Sequence, residues 1–199
     1  MSEDAESWTT VAACKVQLGI TDTTQDAFLE SLVNRSYKIL ETFLGRKMKE
    51  ADYVEYYDGP DDESPDTLLL NQWPIIEVES IHDDLERLFG SDSLIAASDM
   101  VIYKERGLVK LFRNQSCFQR GAQNIKVAYT AGYATMPGDL EDAAIQMVEH
   151  MYNRSRTNGF DSASLGGKSE TYDKAEIPAA VKRTLRNYKV YCRAGMSST

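Results

Sequence analysis

Ile125-Lys126-Val127-Ala128-Tyr129-Thr130, followed by Ala131-Gly132-Tyr133-Ala134-Thr135-Met136-Pro137-Gly138-Asp139-Leu140, is where the chain changes its period. Ile125, Val127 and Tyr129 alternate with Lys126, Ala128 and Thr130, the pattern of a half-buried strand. Past Pro137, Leu140, Ala143, Ala144, Met147, Val148, Met151 and Tyr152 recur at three- and four-residue spacing and share one helical face. Pro137 suits the start of that helix, and Asp139, Glu141 and Asp142 suit its positive N-terminal end. The helix is predicted to reach about Arg156.

Towards the N-terminus the period of two continues. Strands are expected at Tyr53–Tyr57, Leu68–Leu70, Ile75–Ile81, Met100–Lys104 and Gly107–Phe112, with a tight turn at Glu105-Arg106. The stretch 83–99 reads as a loop in which Leu85, Leu88 and Phe89 fit one helical turn before Gly90. Above Gly45 the period is 3.6 again: Phe28, Leu29, Leu32, Val33, Ile39, Leu40, Phe43 and Leu44 form a stripe, with cap residues expected within Thr21-Asp22-Thr23-Thr24. A shorter helix through Val11, Cys14 and Leu18 has Thr9 or Thr10 as its cap and Gly19 as its left-handed end.

Beyond the long helix, residues 157–177 hold several Gly and Ser without helical period, and read as a long exposed arm. Pro178 opens a last helix through Val181, Leu185 and Tyr188. Helices at both ends of the chain must share a core, with the strands inserted between them. The expected fold is therefore α+β: a small helical bundle built from both ends of the chain, an inserted mainly antiparallel β region, and a long arm before the last helix. The expected segments are 8–45 for the N-terminal helices, 46–135 for the β region, 136–156 for the long helix, 157–177 for a flexible arm and 178–193 for the C-terminal helix.

Composition supports a globular chain: of 199 residues, 42% are hydrophobic and 27% charged, with 12 Gly and 5 Pro. No stretch approaches an apolar membrane span, and the acidic start Met1-Ser2-Glu3-Asp4 is unlike a secretory signal, so a soluble, cytoplasmically made protein is expected. Cys14, Cys117 and Cys192 form no CxxC pair and have only His82 and His150 as company, which points away from zinc or a disulfide framework. Net charge is −9, which argues against a free-standing nucleic-acid binder. The distribution is uneven: residues 178–199 carry +5 from Lys182, Arg183, Arg186, Lys189 and Arg193 with no acid, against −14 for the rest.

Chemical motifs weaken on inspection. Gly166-Gly167-Lys168-Ser169 has the end of a phosphate-binding loop, but Ser162 stands where its first Gly belongs, and no strand-to-helix context surrounds it. The acidic run Glu50–Asp66 lacks the ligand register of a calcium loop. His150 has no His four residues before it on the helix, and His82 beside Asp83 and Asp84 has no nucleophile elbow. Tyr53, Tyr56 and Tyr57 alternate in the most acidic part of the chain, which favours sheet packing over base stacking. No catalytic, cofactor or metal set emerges.

The ordered pieces Leu18-Gly19-Ile20-Thr21-Asp22, Phe43-Leu44-Gly45-Arg46, Leu68-Leu69-Leu70 with Trp73-Pro74-Ile75, Val127-Ala128-Tyr129-Thr130-Ala131-Gly132-Tyr133 before Met136-Pro137-Gly138-Asp139-Leu140, and Ser164–Tyr172 leading to Ile177-Pro178 resemble the head–tail connector, or adaptor, proteins of long-tailed bacteriophages. The resemblance spans about Trp8 to Tyr191. It implies a non-enzymatic virion subunit at the head–tail junction, without cofactor. Such a subunit belongs to a ring, twelvefold in that family, whose partners are the portal protein, neighbouring copies and a downstream neck or tail-completion protein, with DNA passing through its channel without specific binding. Shorter connectors lack much of the sheet region. On this reading partner contacts fall to Leu165 and Tyr172 on the arm and to the helical stripe Lys182, Arg186, Lys189 and Arg193, beside the apolar Val181, Leu185, Tyr188 and Cys192. The competing readings are a nucleic-acid-binding factor acting through the basic C-terminal helix and a phosphate-binding enzyme using Lys168.

Overall fold

The computed structural model describes residues 7–59, 66–112, 117–156, 162–165, 168–171 and 176–189. Helix α1 (Val11–Leu18) begins at Thr10, whose Oγ1 accepts from the Ala13 N–H at 3.2 Å, and ends at Gly19, left-handed at φ 67°. Helix α2 (Asp26–Leu44) ends the same way at Gly45, φ 73°. Its start corrects the sequence expectation. The cap position is Gln25, while Asp22 uses its carboxylate to close a turn on the Thr24 N–H at 2.9 Å. Gln25 instead accepts from the Tyr152 hydroxyl at 2.8 Å.

The chain divides into two compact units, 1–45 with 136–199, and 46–135. The second unit holds six strands: β1 (Ala51–Gly59), β2 (Thr67–Leu69), β3 (Ile75–Asp83), β4 (Met100–Tyr103), β5 (Leu108–Leu111) and β6 (Gly121–Ala131). They form two antiparallel sheets, ordered β1-β6-β3 and β2-β5-β4. Ile81, Ile125, Val127 and Tyr129 from the first sheet share a core with Leu68, Val109 and Leu111 from the second. Complete burial of an aliphatic side chain contributes about 1.5–3 kcal/mol, so this shared face holds the unit together. The stretch 83–99 contains two short 3-10 turns, Ser91–Ser93 and Ala97–Asp99, and no α-helical turn at Leu85–Phe89. There the Asp84 carboxylate accepts from the N–H groups of Glu86, Leu88 and Phe89, which gives the backbone a partner other than a helix.

In the first unit, helix α3 (Gly138–Arg156) packs Val148 and Tyr152 against Cys14, Leu29, Leu32 and Val33 of α1 and α2. The expected arm contains secondary structure: β7 (Ser162–Leu165) and β8 (Lys168–Thr171) pair antiparallel, with Leu165 opposite Lys168. A Gly-Gly pair between two short strands is a two-residue hairpin signal, and the absence of helical period had concealed it. Helix α4 (Ala179–Arg186) buries Val181 and Leu185 and ends seven residues short of the expected Arg193. From Asn187 to Lys189 the N–H groups bond three residues back, to Thr184, Leu185 and Arg186, the tightened geometry of a helix end. The mixed helix and sheet composition is the α+β class expected.

Candidate partner-binding surface

The basic stripe does not lie on one open face. Lys182 is half-buried, Arg183, Arg186 and Lys189 are exposed, and the Lys189 Nζ sits 4.7 Å from the centre of the Phe43 ring. That cation–π contact ties Lys189 to α2 of its own unit. Next to it, the Tyr188 hydroxyl donates to the Asp139 carboxylate at 2.6 and 2.8 Å, binding the end of α4 to the start of α3. The exposed cations of α4 are therefore Arg183 and Arg186. Leu165 is placed by its backbone at the β7 end of the hairpin, and Tyr172, Cys192 and Arg193 lie outside the described residues.

Beside α4, a groove of about 710 Å³ opens between α2 and α3. Phe28, Leu32, Ile39, Met147 and Met151 supply apolar lining, and Arg35, His150 and Arg154 supply polar walls. An adjoining recess of about 430 Å³ shares Arg35, Ile39 and Glu176 and continues to Phe43 and Ile177. His150, which the sequence offered no metal-binding partner on its helix, is a half-buried part of this groove. No group of three His, Cys, Asp or Glu suited to a metal ion occurs among the described residues. None of the helices described is long and apolar enough to cross a membrane.

In the β unit the remaining candidates have structural partners. His82 Nδ1 lies 3.2 Å from both the Gly90 carbonyl and Ser93 Oγ, and its ring stands edge-on to Phe89. Tyr57 and Tyr129 both donate to Glu55, the latter at 2.7 Å, while accepting from the backbone of Asn71 and Gln72. Burial first, and the Glu55 carboxylate second, push both phenols up from their usual range.

Three structural roles were not read from the sequence. Arg46 is buried, with its guanidinium 4.0 Å over the Trp73 ring and donating to the Trp73 carbonyl; burial pulls its pKa down to about 10. Gly132 is left-handed at φ 112°, and a Cβ there would meet the Lys49 carbonyl oxygen at 2.4 Å. That contact explains why Gly stands in Ala131-Gly132-Tyr133: the chain must pass the Lys49 backbone before the Tyr133 N–H reaches the Met48 carbonyl at 2.8 Å. At the other end of the sheet, Asn124 and Asp83 form a buried knot with Gln119 and Gly59. No motif announces such a knot, because its members come from distant stretches of chain.

The sequence profile of head completion proteins matches residues 7–191, nearly the whole chain. The chain belongs to the head completion protein family. This is the connector kinship that the motifs implied. No curated protein matches the sequence. Among solved structures, the head completion fold seen here is shared by a chain from the neck of an empty gene transfer agent particle computed with C6 symmetry. That pair has 14% identity and a TM-score of 0.62, over 100% of this chain and 97% of the other. A chain from the virion of a native gene transfer agent particle gives 15% identity and 0.62, over 98% and 96%. One from the neck of the native particle computed with C12 symmetry gives 15% and 0.58, over 92% and 91%.

Proposed function

We propose that this protein is a structural subunit of the connector ring at the head–tail junction of a phage-like virion, where it docks on the portal vertex, extends the DNA channel and carries the next neck or tail protein. The observation that carries this reading is the family match over residues 7–191, joined to a fold shared along its full length with chains of particle necks. The ring is twelvefold in this reading, which the C12 symmetry used for one such neck supports, another having been computed with C6. The charge balance supports it: a body of −14 does not grip passing DNA, because like charges repel phosphates. The protein is not an enzyme in this account.

Attachment falls to two places. Arg183 and Arg186 on α4, with Lys182 beside them, meet acidic surface on the portal or a neighbour. The β7–β8 arm, with Leu165 and Tyr172, reaches an adjacent subunit; a lone two-stranded hairpin is marginal in water and gains from such a partner. Electron microscopy of particles decides the matter. Density for this chain as a closed ring between portal and tail is expected, and its absence from the neck, or one copy per particle, would overturn the proposal. Salt-sensitive DNA binding by the isolated protein would instead favour a nucleic-acid-binding role.

A further inference from the structure

The sheet β1-β6-β3 has two unlike edges. On β3, the Ile95 N–H donates to the Ile81 carbonyl at 2.8 Å, Leu94 bridges to His82, and the Lys104 Nζ donates to the Ile76 carbonyl at 2.6 Å. β1 pairs with β6 on one side, and among the described residues no strand lies on the other. It is nine residues long, and its outward side chains Asp52, Val54, Tyr56 and Asp58 are all exposed, Val54 at 58% and Tyr56 at 49%. A long open edge with apolar side chains invites another strand, and proteins ordinarily guard such edges with Lys, Pro or a covering loop. Here the edge carries an apolar pair between two acids, which repels an acidic strand and accepts a basic one.

The same chain contains a segment of that chemistry. After Lys189 it continues Val190-Tyr191-Cys192-Arg193, in which Val190 and Tyr191 are of strand-forming type and Arg193 is a base, and residues 178–199 hold no acid. In an extended strand Tyr191 and Arg193 share a face, so Tyr191 meets Val54 or Tyr56 while Arg193 meets Asp52 or Asp58. The alternative occupant, the β7–β8 hairpin, already pairs its two strands with each other and would set Glu170 against these acids. We infer that the open edge of β1 accepts residues 190–193 of a neighbouring copy as an added strand. The edge and the segment are different surfaces, so the contact is heterologous and can be repeated round a closed ring. This inference rests on the ring reading above.

The test uses assembled particles carrying the full chain with Cys117→Ser and Cys192→Ser, Tyr191→Cys, and either Val54→Cys or Tyr56→Cys. On mild oxidation, with the buried Cys14 kept throughout, at least one pair is expected to shift the chain into disulfide-linked dimers and higher multimers, at least tenfold above either control that carries one introduced cysteine. A chain present in the neck but monomeric after oxidation, or a disulfide closed within one chain, overturns the strand-addition inference and leaves the ring reading standing. A wild-type chain missing from the particles overturns the ring reading, and this inference with it. A second measurement needs no variant: amides of β1 in wild-type protein should exchange at least tenfold more slowly in the particle than in the free subunit. Unchanged exchange there would also overturn it.

Discussion

Asn124→Ala removes the centre of the buried knot at one end of the sandwich. Asn124 is 1% exposed. Its amide donates to Asp83 Oδ1 at 3.0 Å and to the Gln119 carbonyl at 2.8 Å, and its oxygen accepts from the buried Gly59 N–H at 3.0 Å. The alanine leaves the buried Gly59 N–H without this partner, releases the carbonyl of the exposed Gln119, and removes the Asn124 amide from the Asp83 carboxylate. Each orphaned buried group costs about 1–3 kcal/mol. Asp83 keeps the Gln119 N–H at 2.7 Å, so the sum falls at about 3–5 kcal/mol, a large share of a typical domain's stability.

The cost should depend on pH. Burial raises the Asp83 carboxyl above its usual range, while the Gln119 N–H and the Asn124 amide pull it back. A carboxyl whose folded pKa is raised binds its proton more tightly folded than unfolded. Its stabilising contribution is therefore complete below the unfolded value of about 3.9 and is lost as pH rises through the folded value. Removing the Asn124 donor raises the folded value further, so Asn124→Ala should cost more at neutral pH than at acid pH. Urea unfolding, followed through Trp73 fluorescence in a Trp8→Phe background, isolates the β unit. A loss under about 1 kcal/mol, or one that grows as pH falls, refutes the assignment of the knot as a principal stabiliser.

Gly132→Ala should destabilise the β unit by about 2–4 kcal/mol in the same assay, since a left-handed backbone and the Lys49 carbonyl at 2.4 Å both exclude a Cβ. Tyr57 and Tyr129 are raised in the folded state, so wild-type stability should fall as pH rises above about 10, and Tyr129→Phe should flatten that fall; an unchanged alkaline slope counts against the Glu55 cluster. Arg183→Glu with Arg186→Glu should leave unfolding within about 0.5 kcal/mol of wild type yet reduce tail attachment, more at low salt than at high. Lys189→Ala should show the reverse, losing about 0.5–1 kcal/mol of the Phe43 contact with attachment kept. Normal tail yield with the double reversal would return α4 to a purely structural role.

The fold was legible where a local pattern is sufficient. Thr10 and Gly19 bracket α1, Gly45 ends α2, and the alternation at Ile125–Thr130 lies within β6, because caps and periodicities act over a few residues. Legibility ended where distant chain decides. Gln25 occupies the cap position of α2 and is engaged by Tyr152 from the far end of the sequence. Gly132 stands in the quoted stretch Ala131-Gly132-Tyr133, but the Lys49 carbonyl that requires a glycine there comes from distant chain.

The candidate site shows the same limit in a sharper form. A helical projection places Lys182, Arg186, Lys189 and Arg193 in one row, which reads as a single charged face for a partner. In three dimensions the row is interrupted: α4 ends at Arg186, Tyr188 is bonded to Asp139, and Lys189 covers Phe43. A long cationic side chain at a helix end can pack over a neighbour's ring as readily as face water, and only the neighbour's position determines which. Arg183, Arg186 and Lys189 are all exposed, but Lys189 is engaged with the Phe43 ring, so Arg183 and Arg186 are the two proposed here for a partner. Arg183 stood outside the predicted row, so the attachment surface proposed above is shifted round the helix from the stripe Lys182, Arg186, Lys189 and Arg193.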